Sequence, residues 1–477
     1  MEGSASTTRC PSCGQLRERL AKLDQRVAEQ DRRIAQLEAQ LAAARKDSSN
    51  SSKPPSSDIV KPPKGRGKNK KNKRRRGGQL GHPRHERTPF PPEQVATTHD
   101  YILDCCPDCG GPLKDADEAP RIVQQVEIQD VPIKIEEHRG HAHWCAKCQQ
   151  VRYAPLPKPV VQAGLAGPNL TALVGFLKGV CHASFSTIRK FLRDVVKVTI
   201  SRGQLAKLVQ KVSASLEATY EELLVALPDQ AVLNVDETGH KDEGKRLWTW
   251  CFRAPLFTLF RIDPSRGSDV LIDVLGKEFD GLLGCDYFSA YRKYMKDFDV
   301  RVQFCLAHLI RDVKFLVEHP NKANRRYGEL LLDHLRKLFG VIHRRDSYAS
   351  DASFRRTLAA VRNDLVYDAF MHLPNTREAN NLADRFALHM DSYFRFITEP
   401  DLEPTNNAAE QAIRFVAIHR RLTQGTRGTA GQEWCQRIWT VVLSCAQQGR
   451  SVFQYLQLAV QAFFQGAPSP SLLSDTG

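Results

Sequence analysis

The chain has 477 residues, 41% of them hydrophobic and 26% charged, the composition of a folded protein of several domains and not of a disordered or fibrous one. No apolar run approaches the ~20 residues that span a bilayer, and Met1-Glu-Gly-Ser-Ala-Ser6 lacks the apolar core of a secretory signal, so the expected setting is cytoplasmic with no membrane partner. A formal net charge of +15 and 13 cysteines point to nucleic acid and, in a reducing compartment, to zinc or free thiols over disulfides.

Residues 1–46 open with Cys10-Pro-Ser-Cys13, a solitary pair that fits half a zinc site or a tail with two thiols. Apolar residues then recur by alternating steps of three and four. Leu16, Leu23, Gln30 and Leu37 form one seam position, and Leu20, Val27, Ile34 and Leu41 the other. β-Branched Val27 and Ile34 facing leucines favour a parallel coiled coil, hence a homodimer or higher oligomer, with Gln30 as the polar break. The alternative is an amphipathic helix packed on its own domain.

Residues 47–99 are a linker by composition. Ser48-Ser-Asn-Ser-Ser-Lys-Pro-Pro-Ser-Ser57 precedes a run, 61–76, with ten Lys or Arg and no acid, ending in Arg74, Arg75 and Arg76. Such a run is a disordered arm suited to the phosphates of DNA. Residues 100–155 hold two knuckles, Cys106-Pro-Asp-Cys109 and Cys145-Ala-Lys-Cys148. Each puts two thiolates on one tight turn, and together they supply the four sulfurs of one structural Zn²⁺ site. Stretches 121–128 and 131–138 between them read as strands, which makes a zinc-ribbon-like module.

Residues 156–230 read as helices: one from Gly164 to about 180, one over 183–192 and one from Ser201. Short helices with serine-capped starts have the pattern of a helix-turn-helix DNA-binding segment, or of a plain helical connector.

Residues 231–440 carry the chemistry. Ala231-Val-Leu-Asn-Val-Asp236 is an apolar run ending on a carboxylate, with Thr238-Gly239 as a turn signal. Gly281-Leu-Leu-Gly-Cys-Asp286 repeats the pattern. The order is three strands (231–236, 246–253, 256–261), a helix near 268–275, strand 281–286, a helix from Ser289, strand 302–305 and a helix from about Ala307. This is the α/β order of a ribonuclease H-like core, in which the first and fourth strands are neighbours, so Asp236 and Asp286 meet at one edge. Residues 320–400 are a helical insertion. Glu410 opens the next helix, capped by Asn406 or Asn407. Residues 441–477 are a helical segment and tail.

Three clustered acids repel one another unless cations lie between them. Two Mg²⁺ (or Mn²⁺) ions suit carboxylate and phosphate oxygens, and a pair of such ions activates water or a 3′-hydroxyl and stabilises the leaving oxygen. Asp236 is expected to bridge both ions, Asp286 to hold one and Glu410 the other. Glu237, adjacent on a strand, is expected to face the other way. Arg414, Arg420, Arg421 and Arg427, with Gly425 and Gly428, suit a DNA phosphate groove. His308 reads as a phosphate-orienting or a structural residue.

Taken together, these motifs resemble the insertion sequence 66 family of bacterial DDE transposases. The resemblance rests on the zipper-like helix, Asn50-Ser-Ser-Lys-Pro-Pro-Ser-Ser-Asp58, Gly77-Gly-Gln-Leu-Gly-His82 and the cysteine module. It continues through Asp236-Glu-Thr-Gly239, Asp286-Tyr-Phe-Ser-Ala-Tyr291, Ala307-His308 and Asn407-Ala-Ala-Glu410-Gln-Ala-Ile-Arg414. It implies Asp236, Asp286 and Glu410 as the DDE triad, cutting and joining of DNA at the ends of a mobile element, a place at the bacterial nucleoid, and accessory proteins of the same element as partners. The chain departs from that pattern at His240, where an aromatic is common, at Phe415, where proline is, and at Arg421, where lysine is usual. Two other readings stand beside it: a non-catalytic zinc-dependent DNA-binding protein derived from a transposase, and a ribonuclease H-like nuclease that cuts without joining.

Overall fold

The computed structural model of the chain describes residues 11–46, 89–95, 98–99, 105, 108–109, 112, 122, 124, 132–145, 147, 149–399 and 402–473. They belong to two compact units, one of residues 1–61, 138–194 and 198–477, the other of 62–137 and 195–197. Arg74, Arg75, Arg76, Cys106, Cys148, the side chain of Cys145 and most of 121–128 lie outside the described residues. In the smaller unit, Gln124 clasps Phe90 with both amide atoms, accepting from its N–H (2.6 Å) and donating to its carbonyl (2.9 Å). The expected strand over 131–138 is not formed: residues 132–141 are irregular, because Pro132 has no N–H to give and Glu136-Glu137-His138-Arg139 is a charged run.

In the larger unit, helix α1 (Pro11–Ala44) covers the heptad region. Its seam lies open, with Leu16, Leu20, Leu23, Val27, Ile34, Leu37 and Leu41 each 44–62% exposed. Near its end Ala42 is buried, and Lys46 lies over the Phe315 ring at 4.5 Å. Strands β1 (Ala142–Cys145) and β2 (Gln150–Tyr153) pair antiparallel, and their last register pair is Cys145 with Gln150.

Helices α2 (Lys158–Ala163), α3 (Pro168–Gly179), α4 (Phe185–Phe191), α5 (Arg202–Ser215) and α6 (Glu217–Val225) follow. Ser184 caps α4 and Ser201 caps α5, each accepting a backbone N–H. Contrary to the expectation of no spanning-length apolar run, an 18-residue window within 158–179 has a mean hydropathy of 1.4, a match to a membrane span by length and composition only. The stretch is two helices, broken at Gly164 (φ 64°). The second packs closely on α5, where a Cβ at Gly175 would meet Val212 at 2.9 Å.

The sheet is built from β3 (Val232–Asp242), β4 (Lys245–Arg253), β5 (Thr258–Asp263), β6 (Leu282–Cys285) and β7 (Arg301–Phe304). Its order is β5-β4-β3-β6-β7. The first three strands are antiparallel, and β6 and β7 run parallel to β3. The first and fourth strands are therefore neighbours, as expected. The connecting helices are α7 (Ser268–Leu275), α8 (Ser289–Phe298) and α9 (Leu306–Val317). The expected turn at Thr238-Gly239 does not occur. β3 runs on to Asp242, and the chain reverses at Glu243 and Gly244, both at positive φ (49° and 84°), the requirement of a tight hairpin. The strand end is pinned by Thr426 and Gly428, whose Oγ1 and N–H donate to Asp242 at 2.8 and 2.9 Å.

Helices α10 (Lys322–Ile342), α11 (Asp351–Met371) and α12 (Arg377–Phe394) form the expected helical stretch before α13 (Asn407–Thr423), α14 (Thr429–Gln447) and α15 (Val452–Gln465). α15 packs back on α3 and α5, with Phe453 edge-on to Phe176 at 5.8 Å. α14 covers the edge strand β5. The N–H groups of Thr258, Phe260 and Ile262 donate to Ser444 Oγ (3.0 Å), Thr440 Oγ1 (3.0 Å) and Gln436 Oε1 (2.7 Å). Two residues of strand advance ~6.7 Å and four of helix ~6 Å, so the two ladders stay in step. An edge that would otherwise invite another strand is thereby closed.

Thr440→Val keeps the shape and removes the acceptor, leaving the Phe260 N–H buried and unpaired. It should cost about 1–3 kcal/mol in urea unfolding, and an unchanged midpoint would show that the ladder contributes nothing.

Candidate active site

The parallel register pairs Asn234 with Gly284 and ends there; continued by two residues, it sets Asp236 abreast of Asp286. Gly284 is needed at the crossing, because a Cβ there would lie 2.4 Å from Asn234 Nδ2. That amide instead passes over β6 and donates to Asn406 Oδ1 (3.0 Å), while Asn406 Nδ2 donates to the Val235 carbonyl (2.8 Å). Asn406 N–H also points at Cys305 Sγ (3.1 Å), and Leu306 N–H donates to Pro404 (2.9 Å). Asn406 was expected to be a helix cap, as was Asn407. It occupies the N-cap position of α13 but makes no capping bond. Its side chain, 1% exposed, is spent on β3, and this fixes the first turn of α13, which carries Glu410, against the strand that carries Asp236.

Burial drives the Asp236 carboxyl well above the usual carboxylate range, and the charges of Glu237, Asp286 and Glu410 push the same way. One backbone bond opposes them, from Glu237 N–H to Oδ1 at 2.9 Å. Asp286 is also raised by burial, offset by His308, by the Phe288 N–H (2.9 Å) and by Arg266. Glu237 takes the opposite face of β3. There Arg266 Nε and Nη2 both donate to its Oε1 (2.9 and 2.6 Å) and Tyr291 Oη donates to Oε2. Burial and Asp286 nonetheless raise Glu237 to about 7. Arg266 is itself held between the rings of Trp248 (4.5 Å) and Phe288 (3.9 Å).

Glu410 is held from the other side. Arg311 Nη2 reaches its Oε2 (3.2 Å), and His308 Nδ1 stands 3.5 Å from its Oε1. Among the described residues, the His, Cys, Asp and Glu side chains whose ligand atoms close to within 4.8 Å of one another are Cys305, His308 and Glu410. Asp236, Asp286 and Glu410 are electrostatically joined but not drawn together that tightly.

Of the sequence-flagged arginines, Arg420 is half-buried and donates to Thr238 Oγ1 (3.2 Å). Arg414, Arg421 and Arg427 are exposed. His240 is a core residue, 2% exposed, with Nε2 at 2.9 Å from Thr426 Oγ1 and Nδ1 at 3.3 Å from Thr249 Oγ1; burial lowers its pKa to about 4. Phe415 packs on the His182 ring, centroid to centroid 4.8 Å. Sequence reasoning missed Arg266, Arg311 and the inward turn of Asn406. Arg311 had a signal, lying three residues after His308 on one helix face. Arg266 had none, since its contact is made by the loop before α7.

A family model described as the transposase IS66 family matches residues 163–433, more than half of the chain. A second model, of a family of unknown function, matches residues 10–88. Two relatives are both from Sinorhizobium fredii: the uncharacterized protein y4qI, 23% identical over 66% of this chain, and the uncharacterized protein y4hP, 21% identical over 67%. The chain spans 63% of the length of each.

Asn406→Ala removes two buried bonds between α13 and β3. Its unfolding free energy should fall by about 2–3 kcal/mol, whereas Asn407→Ala, exposed one residue later, should stay within ~0.5 kcal/mol of wild type. Equal effects would mean that Asn406 is not the staple.

Proposed function

The chain belongs to the transposase IS66 family, and from that premise we propose that it cuts and joins DNA at the ends of an insertion sequence, with Asp236, Asp286 and Glu410 as its metal-binding acids. The observation that carries this reading is the convergence of Asp236, Asp286 and Glu410 through the β3–β6 register and the Asn406 staple between α13 and β3, with Asp236 raised by burial and the acids around it and Asp286 raised by burial. Such a group is costly alone and fits hard divalent cations, because oxygen donors are what Mg²⁺ and Mn²⁺ prefer. The β5-β4-β3-β6-β7 order supports reading the core as ribonuclease H-like with α10–α12 as an insertion.

Two Mg²⁺ or Mn²⁺ ions bound there supply Lewis acidity at the scissile phosphate and lower the pKa of an attacking water or 3′-hydroxyl. The residues present do the rest. Asp236, Asp286 and Glu410 would hold the ions, with Asp236 the acid on which Asp286 and Glu410 both act. The Phe288 N–H orients Asp286, Arg311 orients Glu410, and the Arg266–Glu237–Tyr291 brace fixes β3 from behind. Arg414, Arg420, Arg421 and Arg427 take DNA phosphates, as do Arg74, Arg75 and Arg76 of the basic arm. Cys106, Cys109, Cys145 and Cys148 would hold a structural Zn²⁺. The open leucine seam of α1 pairs two copies, which would hold two element ends in one assembly. Accessory proteins of the element would act on that assembly in the bacterial cytoplasm.

The test is cleavage and strand transfer of a labelled duplex carrying the element's ends, with Mg²⁺. Asp236→Asn should lower both by at least ~10²-fold while end binding persists. Cleavage that survives the substitution would remove Asp236 from the chemistry. End binding without cleavage by wild type would favour the DNA-binding derivative, and cleavage without joining the nuclease.

A further inference from the structure

We propose that Cys305, His308 and Glu410 form a separate site for a softer divalent ion, of the Zn²⁺ or Co²⁺ class, at the flank of the acid cluster. Cys305 follows β7 and occupies the N-cap of α9, His308 lies on the first turn of that helix, and Glu410 sits on the first turn of α13. Their ligand atoms lie within 4.8 Å of one another. The Asn406 N–H to Cys305 Sγ contact and the Leu306 to Pro404 bond tie the two helix starts together, so the three donors come from a braced corner and not from mobile loops.

Two observations point to a ligand. His308 Nδ1 and Glu410 Oε1 are both buried, and neither has a hydrogen-bond partner, whereas buried polar atoms are nearly always paired. They face each other at 3.5 Å, beyond a good hydrogen bond but close to the ~3.3 Å edge expected between N and O ligands at ~2.0–2.1 Å on a tetrahedral ion. The donor set then selects the metal. Thiolate and imidazole favour Zn²⁺ or Co²⁺ and are poor ligands for Mg²⁺. Three protein ligands leave the fourth position open to water or a phosphate oxygen.

Arg311 controls entry. Its Nη1 donates to His308 Nε2 (3.0 Å) and its Nη2 to Glu410 Oε2 (3.2 Å). With Nε2 accepting, the neutral ring carries its proton on Nδ1. An ion on Nδ1 requires that proton on Nε2, so Arg311 must leave Nε2 and keep Glu410 alone, and the Cys305 thiol gives its proton to solvent. A guanidinium beside the ion also repels it. Occupancy would take Glu410 away from the acid cluster, and Zn²⁺ would then inhibit Mg²⁺-supported cleavage; this last consequence alone rests on the function proposed above.

The measurement is cobalt binding by the full chain, without DNA, read as the difference spectrum between wild type and Cys305→Ser, which cancels whatever the other cysteines bind. We expect a thiolate-to-cobalt charge-transfer band present only in wild type and bleached by Zn²⁺. Cobalt affinity should be at least ~10-fold weaker in His308→Gln and several-fold tighter in Arg311→Gln. Superimposable wild-type and Cys305→Ser spectra at saturating cobalt would overturn the proposal. If Cys305→Ser does not fold, an unchanged affinity in His308→Gln would do the same. Because no DNA or turnover enters, this result and the cleavage result for Asp236→Asn stand or fall separately.

Discussion

Asp236, Glu237, Asp286 and Glu410 repel one another where two strands and a helix meet, Glu237 buried and the other three half-buried. Two like charges ~5 Å apart in an effective dielectric of ~20 cost on the order of 3 kcal/mol, and burial of each carboxylate adds to that. Nothing in the fold tolerates such an arrangement unless it is braced. The brace is built from uncharged contacts: the β3–β6 register across Gly284, the Asn234–Asn406–Val235 staple, and the helix-to-edge ladder by which α14 closes β5.

The countercharges are distributed unevenly. Glu237 has Arg266, Glu410 has Arg311, and Asp286 has His308 and Arg266 at a distance. The leading influences on Asp236 are burial, three acids and one backbone N–H. Acids are therefore the main charged neighbours of Asp236, one of the residues that would hold the ions. The same unevenness gives Glu410 its second character. Ion-paired on one oxygen and unpaired on the other, it faces a thiol and an imidazole as well as the acids.

Much of this was legible in the sequence. The two apolar runs that end on Asp236 and Asp286 announce buried parallel strands, and the order of elements makes those strands neighbours. The heptads, the serine caps of α4 and α5 and the helical stretch before Glu410 follow from local periodicity. What local pattern could not show was decided by distant contacts. Thr238-Gly239 reads as a turn, but Thr426 and Gly428, nearly two hundred residues on, hold the strand straight to Asp242. Asn406 reads as a cap, but the Asn234 amide and the Val235 carbonyl draw its side chain inward. Pro132 and its charged neighbours outweighed the alternating pattern that suggested a strand over 131–138.

The most direct test of the central claim is calorimetric titration of the full chain with Mn²⁺ at neutral pH, compared with Asp236→Asn and Asp286→Asn. Wild type should bind Mn²⁺ and release protons, because burial raises Asp236 and Asp286 and each must be ionised to ligate. Each substitution should remove most of that binding. Equal Mn²⁺ uptake by all three chains would contradict the assignment of this carboxylate cluster as the metal site.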